Sequence, residues 1–221
     1  MIVDLLTQEG SWIVPHLQSV TTWCHKNGYN TRLYTNHHDI RGGGVLFILG
    51  YLKIVGKDYR DRYEEALVIH ESDLPKGRGF APMSWQIASG SNEITFTLFK
   101  ADDAVDSGPV YMKRKLMLNG TELFEEWRRK QGDLTVEMVK EFLTIQNLKV
   151  AEDQVGEASF YEKRSRKDDE LQENLTLAEC FDRIRVCDPK NYPAWFQFRG
   201  RNFKIILEPL SKKSKFLALQ N

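Results

Sequence analysis

Three short segments hold residue types able to do chemistry, and each follows an apolar run. They are Gly50-Tyr-Leu-Lys-Ile-Val55, His70-Glu-Ser-Asp-Leu-Pro-Lys-Gly-Arg-Gly79 and Asp102-Asp-Ala-Val-Asp-Ser-Gly-Pro109. Histidine is the commonest acid–base side chain, yet at a strand end it serves equally as a structural hydrogen bonder. Lys76 to Gly79 is either a basic binding loop or a plain connector. Asp106-Ser-Gly108 is either a functional carboxylate or a turn, since Asp and Gly are turn formers. The five histidines, including the pair His37-His38, have no acidic or thiol ligand at standard spacing, so no metal site is expected. Cys24, Cys180 and Cys187 are odd in number and lack CxxC spacing, which predicts reduced thiols.

The surrounding pattern explains how those segments are presented. Residues 1–7 are apolar and β-branched, as in a buried strand. Trp12, Ile13, Leu17, Val20 and Trp23 or Cys24 have helical spacing over 11–27, and Gly28 stops that helix. Residues 29–36 read as a second strand. Residues 44–51 and 66–72 are continuously apolar, as expected of strands covered on both faces. Pro82 to Ser89 is a short helix with proline in its first turn. Glu93 to Lys100 alternates, with Ile94, Phe96 and Leu98 on one face, and 109–118 is its partner strand. Residues 122–147 predict one or two amphipathic helices, broken near Gly132-Asp133.

Beyond about residue 150 the texture turns polar and irregular. A short helix over Leu177–Val186 and a turn at 188–193 follow. Two strands then flank Arg199-Gly-Arg201, a hairpin signal. The expected fold is α/β: an open, mostly parallel Rossmann-like sheet with helices on both faces, over residues 1–150, plus a small C-terminal helix and β-hairpin appendage over 151–221. In such sheets ligands sit beyond the C-terminal ends of the strands, which is where the three segments lie.

Charge narrows the partners. Thirty-one basic residues balance thirty-one acidic ones, which argues against nucleic acid as the main partner. The run Glu162 to Glu170 cancels itself and reads as a solvated face. No stretch approaches the ~18 apolar residues of a membrane span, and the start lacks the basic head of a signal peptide, so no membrane partner and a cytoplasmic location are expected. The first strand is not followed by the three-glycine turn that binds a dinucleotide, so a nicotinamide cofactor is not expected.

Taken together, the segments resemble one family. His70, Ser72, Leu74-Pro75, Arg78-Gly79, Pro82 and Trp85-Gln-Ile87 look like the signature of formyltransferases that use 10-formyltetrahydrofolate. Val105-Asp-Ser-Gly-Pro-Val110 and the upstream Gly50-Tyr-Leu-Lys-Ile are similar to two further motifs of that family, in the same order. The likeness covers about residues 44–112; the first forty residues match only as a generic βαβ start. It implies a folate pterin walled by the backbone of Leu52, Lys53, Ile54 and Val55 on one side and by Asp102, Asp103 and Val105 on the other. It implies His70 at the formyl carbon as oxyanion donor or proton shuttle, and Asp106 orienting it. One position departs. The family usually has an asparagine two residues before the histidine; here stands Val68, which donates no hydrogen bond. Gln86, Ser72 or the Asn36-His37-His38 loop are the possible substitutes.

The tail, with Arg185, Asp188, Tyr192-Pro-Ala-Trp-Phe196, Gly200 and Phe203-Lys-Ile-Ile206, is similar to that of sugar N-formyltransferases, closest to the pseudaminic-acid-pathway type. The implied acceptor is a nucleotide-linked amino sugar, specifically a UDP-linked 4-amino-4,6-dideoxy sugar, in a homodimer. Ser72, Lys76, Arg78, Gln86, Arg185, Tyr192 and Trp195 are expected at the acceptor. Tyr192, Trp195 and Phe196 would stack on the base, with Arg185 or Lys163 near the pyrophosphate; alternatively these aromatics pack the hairpin onto the core or form a dimer interface. Two alternatives remain: a folate or nucleotide-sugar binding protein that lost its rate through Val68, or a methionyl-tRNA or purine-pathway enzyme.

Overall fold

The computed structural model describes residues 1–145 and 150–210. Four parallel strands begin the sheet: β1 (Ile2–Leu6), β2 (Asn30–Tyr34), β3 (Gly43–Ile48) and β4 (Tyr63–His70). A two-residue strand, β5 (Arg78–Gly79), lies outside it, and β6 (Glu93–Lys100) and β7 (Val110–Met117) complete it antiparallel. The spatial order is β2-β1-β3-β4-β6-β7. The strand boundaries follow the expected ones to within a few residues; for β1, β3 and β4 the apolar runs that mark them are buried on both sheet faces.

Alternation divides the core into two layers. Val3, Leu5, Val45, Phe47, Leu67, Ile69, Ile94, Phe96 and Leu98 face one large cluster. Helix α1 (Val14–Lys26) joins it through Leu17, Val20 and Cys24. On the other face Leu6, Leu46, Ile48 and Ala66 meet Ile40 and Val55 in a smaller cluster, with Val68 packed against it. Among the described residues, the four-residue helix α2 (Lys57–Arg60) and a single helical turn at His37–Asp39 sit near that face. Strand geometry puts His70 on the side of Val68, so the histidine emerges on the thinly covered face.

One buried polar cluster ties three of the parallel strands together. Asp4 in β1 is fully buried; Arg32 of β2 donates to both its oxygens at 2.7 and 2.8 Å, and Tyr63 of β4 donates to it at 2.6 Å. A buried carboxylate is tolerated only when paired in this way. Burial and the neighbouring Asp4 push the Tyr63 phenol well up, so it remains a donor.

The expected break near Gly132 does not occur. Helix α3 (Pro82–Ala88) is followed by a single helix, α4 (Phe124–Thr144). Gly132 lies inside α4 where α1 crosses it, and a Cβ there would overlap the His16 ring. The glycine serves close helix approach rather than a helix end. Positions 146–147 of that expected helix lie outside the described residues.

The polar stretch after residue 150 forms β8 (Phe160–Tyr161), paired parallel with β5, then helix α5 (Leu177–Arg185) and the hairpin β9 (Ala194–Phe198) and β10 (Arg201–Ile205). Arg199 and Gly200 both have positive φ (47° and 76°), the two-residue turn that matches hairpin twist. Leu171, Ile184, Val186, Cys187 and Ala194 enter the large cluster of the sheet. Trp127 of α4 is fully buried among them, and its indole N–H donates to the Arg185 carbonyl at 3.0 Å. Burial pushes the Cys24 thiol up to about 11 and the Cys187 thiol up to about 12, which keeps both protonated.

Trp127→Ala should cost about 3–5 kcal/mol of unfolding free energy in urea. The loss should appear in a single transition, because sheet and C-terminal segment share the cavity. Two separate transitions, one of them unmoved by the substitution, would contradict that shared core.

Candidate active site

The C-terminal end of β4 delivers His70 into a tight turn. Its Nε2–H donates to the Gly77 carbonyl at 2.8 Å, and an Asp106 carboxylate oxygen lies 3.7 Å from the same nitrogen. Both side chains are mostly buried, 8% and 14% exposed. With Nε2 engaged, Nδ1 has no hydrogen-bond partner among the described residues. A neutral ring in this tautomer presents a lone pair there; a charged ring presents a donor.

Asp106 occupies the turn between β6 and β7 at φ 51°, a left-handed conformation rare outside glycine. Its carboxylate accepts from the Gly79 amide at 2.8 Å, so the loop after β4 and the loop after β6 are bonded to each other.

Two exposed loops flank this pair. After β3, Leu52 and Ile54 are 60% and 70% exposed, whereas Val55 is buried. After β6, Val105 is 49% exposed, and Asp102 and Asp103 are exposed too. The amides of Lys53 and Ile54 make no hydrogen bond among the described residues. Arg60 of α2, which follows the first loop, holds the second: it donates to the Ala101 carbonyl at 2.7 Å and pairs with Asp103. Sequence reasoning missed Arg60, because it lies in none of the three motifs and its partners are 41 and 43 positions away in the chain. Exposed apolar side chains beside free backbone groups are surfaces that a flat heteroaromatic ring can cover.

Other expected residues fall in different places. Ser72 is buried and its hydroxyl has no partner. Gln86 donates both amide hydrogens to carbonyls, Glu71 at 2.7 Å and Pro82 at 3.1 Å. Arg78 donates to Gln154 at 2.7 Å. Lys76 and Lys163 are exposed. In the Asn36 loop, His37 and His38 are held by the hydroxyls of Tyr51 and Tyr59 at 2.8 and 2.6 Å, and burial pushes the His37 pKa down.

Arg185 requires correction. It is buried in the core, where its guanidinium donates to Asp182 at 2.7 Å and Asn92 at 2.9 Å, so it is not presented to a pyrophosphate. The last turn of an amphipathic helix gave no sign of which way that side chain would fold. Trp195 donates to the Arg166 carbonyl, Tyr192 is exposed, and Phe196 stacks on Phe203 within the hairpin. Among the described residues no hydrogen bond or ring stack joins Tyr192 or Trp195 to the His70 turn.

Behind His70 lies a buried polar chain that the sequence did not announce. Glu71 accepts from Gln131 at 2.5 Å, and Gln131 accepts from Arg128 at 2.8 Å. Burial holds the Arg128 pKa down to about 10, and Glu71 opposes that shift. A His-x-Ser motif points attention to alternate residues, so Glu71, facing the other way, was passed over.

A family model described as formyl transferase matches residues 7–143. The chain belongs to this family. A curated relative, the methionyl-tRNA formyltransferase of Kosmotoga olearia, is 29% identical over 125 residues; the match covers 55% of this chain and 40% of that protein. The chain thus spans less than half the length of that relative. Among solved structures, a methionyl-tRNA formyltransferase from Clostridium thermocellum superposes with TM-score 0.79 at 23% identity, covering 97% of this chain and 95% of the other. A sugar N-formyltransferase from a Shewanella species gives 0.68 at 12% identity, covering 94% and 97%. These likenesses establish the formyltransferase Rossmann-like fold.

Gly108 closes the Asp106 turn so tightly that a Cβ would overlap the Lys100 carbonyl oxygen of β6. Backbone cannot swing aside as a side-chain tip can. Gly108→Ala should therefore lose about 1–3 kcal/mol of stability in chemical denaturation. A variant as stable as the parent would mean that the turn is free to shift.

Proposed function

We propose that this protein transfers the formyl group of 10-formyltetrahydrofolate to the amine of a nucleotide-linked amino sugar. The observation that carries the proposal is the buried meeting of His70 and Asp106 between two loops that expose Leu52, Ile54 and Val105. The pterin would lie between Leu52–Val55 and Asp102, Asp103 and Val105, with free amides facing its edge. The acceptor amine attacks the formyl carbon. The new C–N bond forms, the bond from the formyl carbon to N10 of the folate breaks, and N10 takes up a proton as the amine loses one. His70 stabilises the oxyanion through a ring N–H, and Asp106 supports the charged ring and helps receive the proton.

The division at about residue 150 is one of role: residues 1–150 hold the donor and the catalytic pair, and the segment beyond serves the acceptor and a homodimer contact on the hairpin. A groove of about 510 Å³ between α3 and this segment supports the acceptor assignment. Trp85, Arg164, Lys167 and Arg183 line it. Arg164 lies over the Trp85 ring at 4.9 Å, and Trp85 stacks on Tyr161, which packs against the Gly77 turn. Of the acidic liners, Asp168 caps Ser165, whose N–H and hydroxyl hold its pKa down. A small phosphorylated acceptor suits such a groove.

The relatives' names favour a second acceptor, methionyl-tRNA. Against it stands the zero net charge, which gives a polyanion little to hold. Rates measured with aminosugar nucleotides and with charged tRNA, side by side, decide between them. Among the described residues no helix is long and apolar enough to cross a membrane.

His70→Ala should lower turnover at least ~100-fold, and Asp106→Asn similarly, while tetrahydrofolate still binds. Near-normal turnover in either variant would remove that residue from the mechanism.

Val68 sits between Ile48 and Phe99 in the sheet register, and Ser72 is the candidate substitute whose hydroxyl is unengaged. Val68→Asn should leave turnover level or lower it, whereas Ser72→Ala should slow it by ~100-fold, the usual scale for one oxyanion donor. A large gain from Val68→Asn at unchanged folate affinity would instead mark the native site as short of a donor, which favours the binding-protein alternative.

A further inference from the structure

We infer that Gln154 is a positioning residue for the His70–Asp106 pair, and that the strap of residues 152–161 completes the catalytic turn. This rests on the formyl-transfer reading above. The strap comes from the polar stretch after residue 150, yet it grips the turn at several points. Glu152 and Val110 exchange backbone bonds at 2.7 and 2.9 Å, just after the Asp106 turn. The Gly77 amide, whose carbonyl holds His70, donates to the Ser159 hydroxyl at 2.9 Å. Arg78 and Phe80 donate their amides to the carbonyls of Ser159 and Tyr161 at 2.9 and 3.0 Å.

Gln154 is the side chain at the centre of this grip. Its amide nitrogen donates to the Asp106 carbonyl and to the Gly108 carbonyl, both at 2.9 Å. Its oxygen accepts from Arg78 at 2.7 Å. Two donors and one acceptor in one planar group are thereby all used. Asp106 is held in a left-handed conformation that a non-glycine residue keeps only when its surroundings over-determine it. The Gln154 clamp does so from the backbone side, while Gly79 fixes the carboxylate from the other. Released from the clamp, the residue relaxes and its carboxylate leaves the imidazole. A carboxylate at position 154 would face two carbonyl oxygens with no hydrogen to give, so the amide is required.

Gln154→Met keeps the size of the side chain and removes all three bonds; Gln154→Glu keeps only the bond to Arg78. Both should lower kcat by about 10- to 100-fold, the scale expected when a reacting group is displaced by about 1 Å. Tetrahydrofolate affinity should change by less than about threefold, since within the loop after β6 the clamp bonds to Asp106 and Gly108 and to none of Asp102, Asp103 or Val105. Because Gln154 acts through Asp106, the double variant Q154M/D106N should be no slower than D106N alone. Amide hydrogen exchange supplies a readout independent of activity: Gly79, which donates to Asp106, should lose protection in Q154M while the β4 amides keep theirs. Unchanged kcat with unchanged Gly79 exchange overturns the inference. So does a variant that loses kcat, folate affinity and sheet protection together, which marks a merely structural side chain. If the parent protein and His70→Ala turn over alike, the formyl-transfer reading fails, and Gly79 exchange still reports whether the clamp exists.

Discussion

A carboxylate on a left-handed backbone has to stay beside a buried imidazole, and the rest of the site is arranged around that requirement. Asp106 lies 3.7 Å from His70, and both side chains are largely removed from water. At that burial the attraction between the pair is stronger than at a surface, but a small drift of either partner removes it. His70 is fixed because it ends a strand locked between β3 and β6. Asp106 has no strand of its own. It depends on the Gly79 amide, on Gln154 and on the tightness that Gly108 allows.

The two faces of the sheet divide the work. The large cluster, with α1, α4, α5 and Trp127, supplies most of the buried apolar surface and thus most of the driving force for folding. The opposite face is thinly covered, and its strand ends leave Leu52, Ile54 and Val105 in solvent. A stable layer on one side permits exposed apolar loops on the other, since those loops contribute little to the core. Buried charges are placed to the same end. Asp4 is paired on three strands, and Arg128 connects through Gln131 to Glu71, the neighbour of His70. The first adds side-chain bonds to the backbone ladder of β1, β2 and β4, and the second ties α4 to the end of β4 with a direction that apolar packing lacks.

Sequence pattern revealed the sheet because period and burial speak locally. Ile94, Phe96 and Leu98 alternate in the sequence and are all fully buried, and the apolar runs of β3 and β4 are legible for the same reason. His70 and Asp106 were legible through motif order, and the structure brings them together. Gly132 misled because a glycine in a helix is read as an end, when here it makes room for His16 on another helix. Arg185 misled because its charge suggested a ligand, when its partners were Asp182 and Asn92. Gln154 and Ser159 gave no signal at all. They lie in a stretch without periodicity, and their importance comes from contacts 46 to 82 positions away in the chain. Such contacts are products of the fold and have no local signature.

Val68 shows how the two kinds of information meet. Its place in the register, between Ile48 and Phe99 and packed on the smaller cluster, is the place of an ordinary apolar strand residue. Val68 is only partly buried, its register neighbours Ile48 and Phe99 offer an amide no partner, and a β-branched residue suits the sheet at this position. The hydroxyl of Ser72, two residues past His70, is buried and unengaged. Val68 and His70 share one face of β4, and Ser72 lies in the bend just past the strand end. A donor there would sit in the turn beyond His70 and leave the strand its apolar residue. The Gln86 amide, committed to two carbonyls, could do this only by abandoning Glu71, whose carbonyl caps the turn. Of the two candidates in and beside the His70 turn, Ser72 is thus the one with no bond to give up.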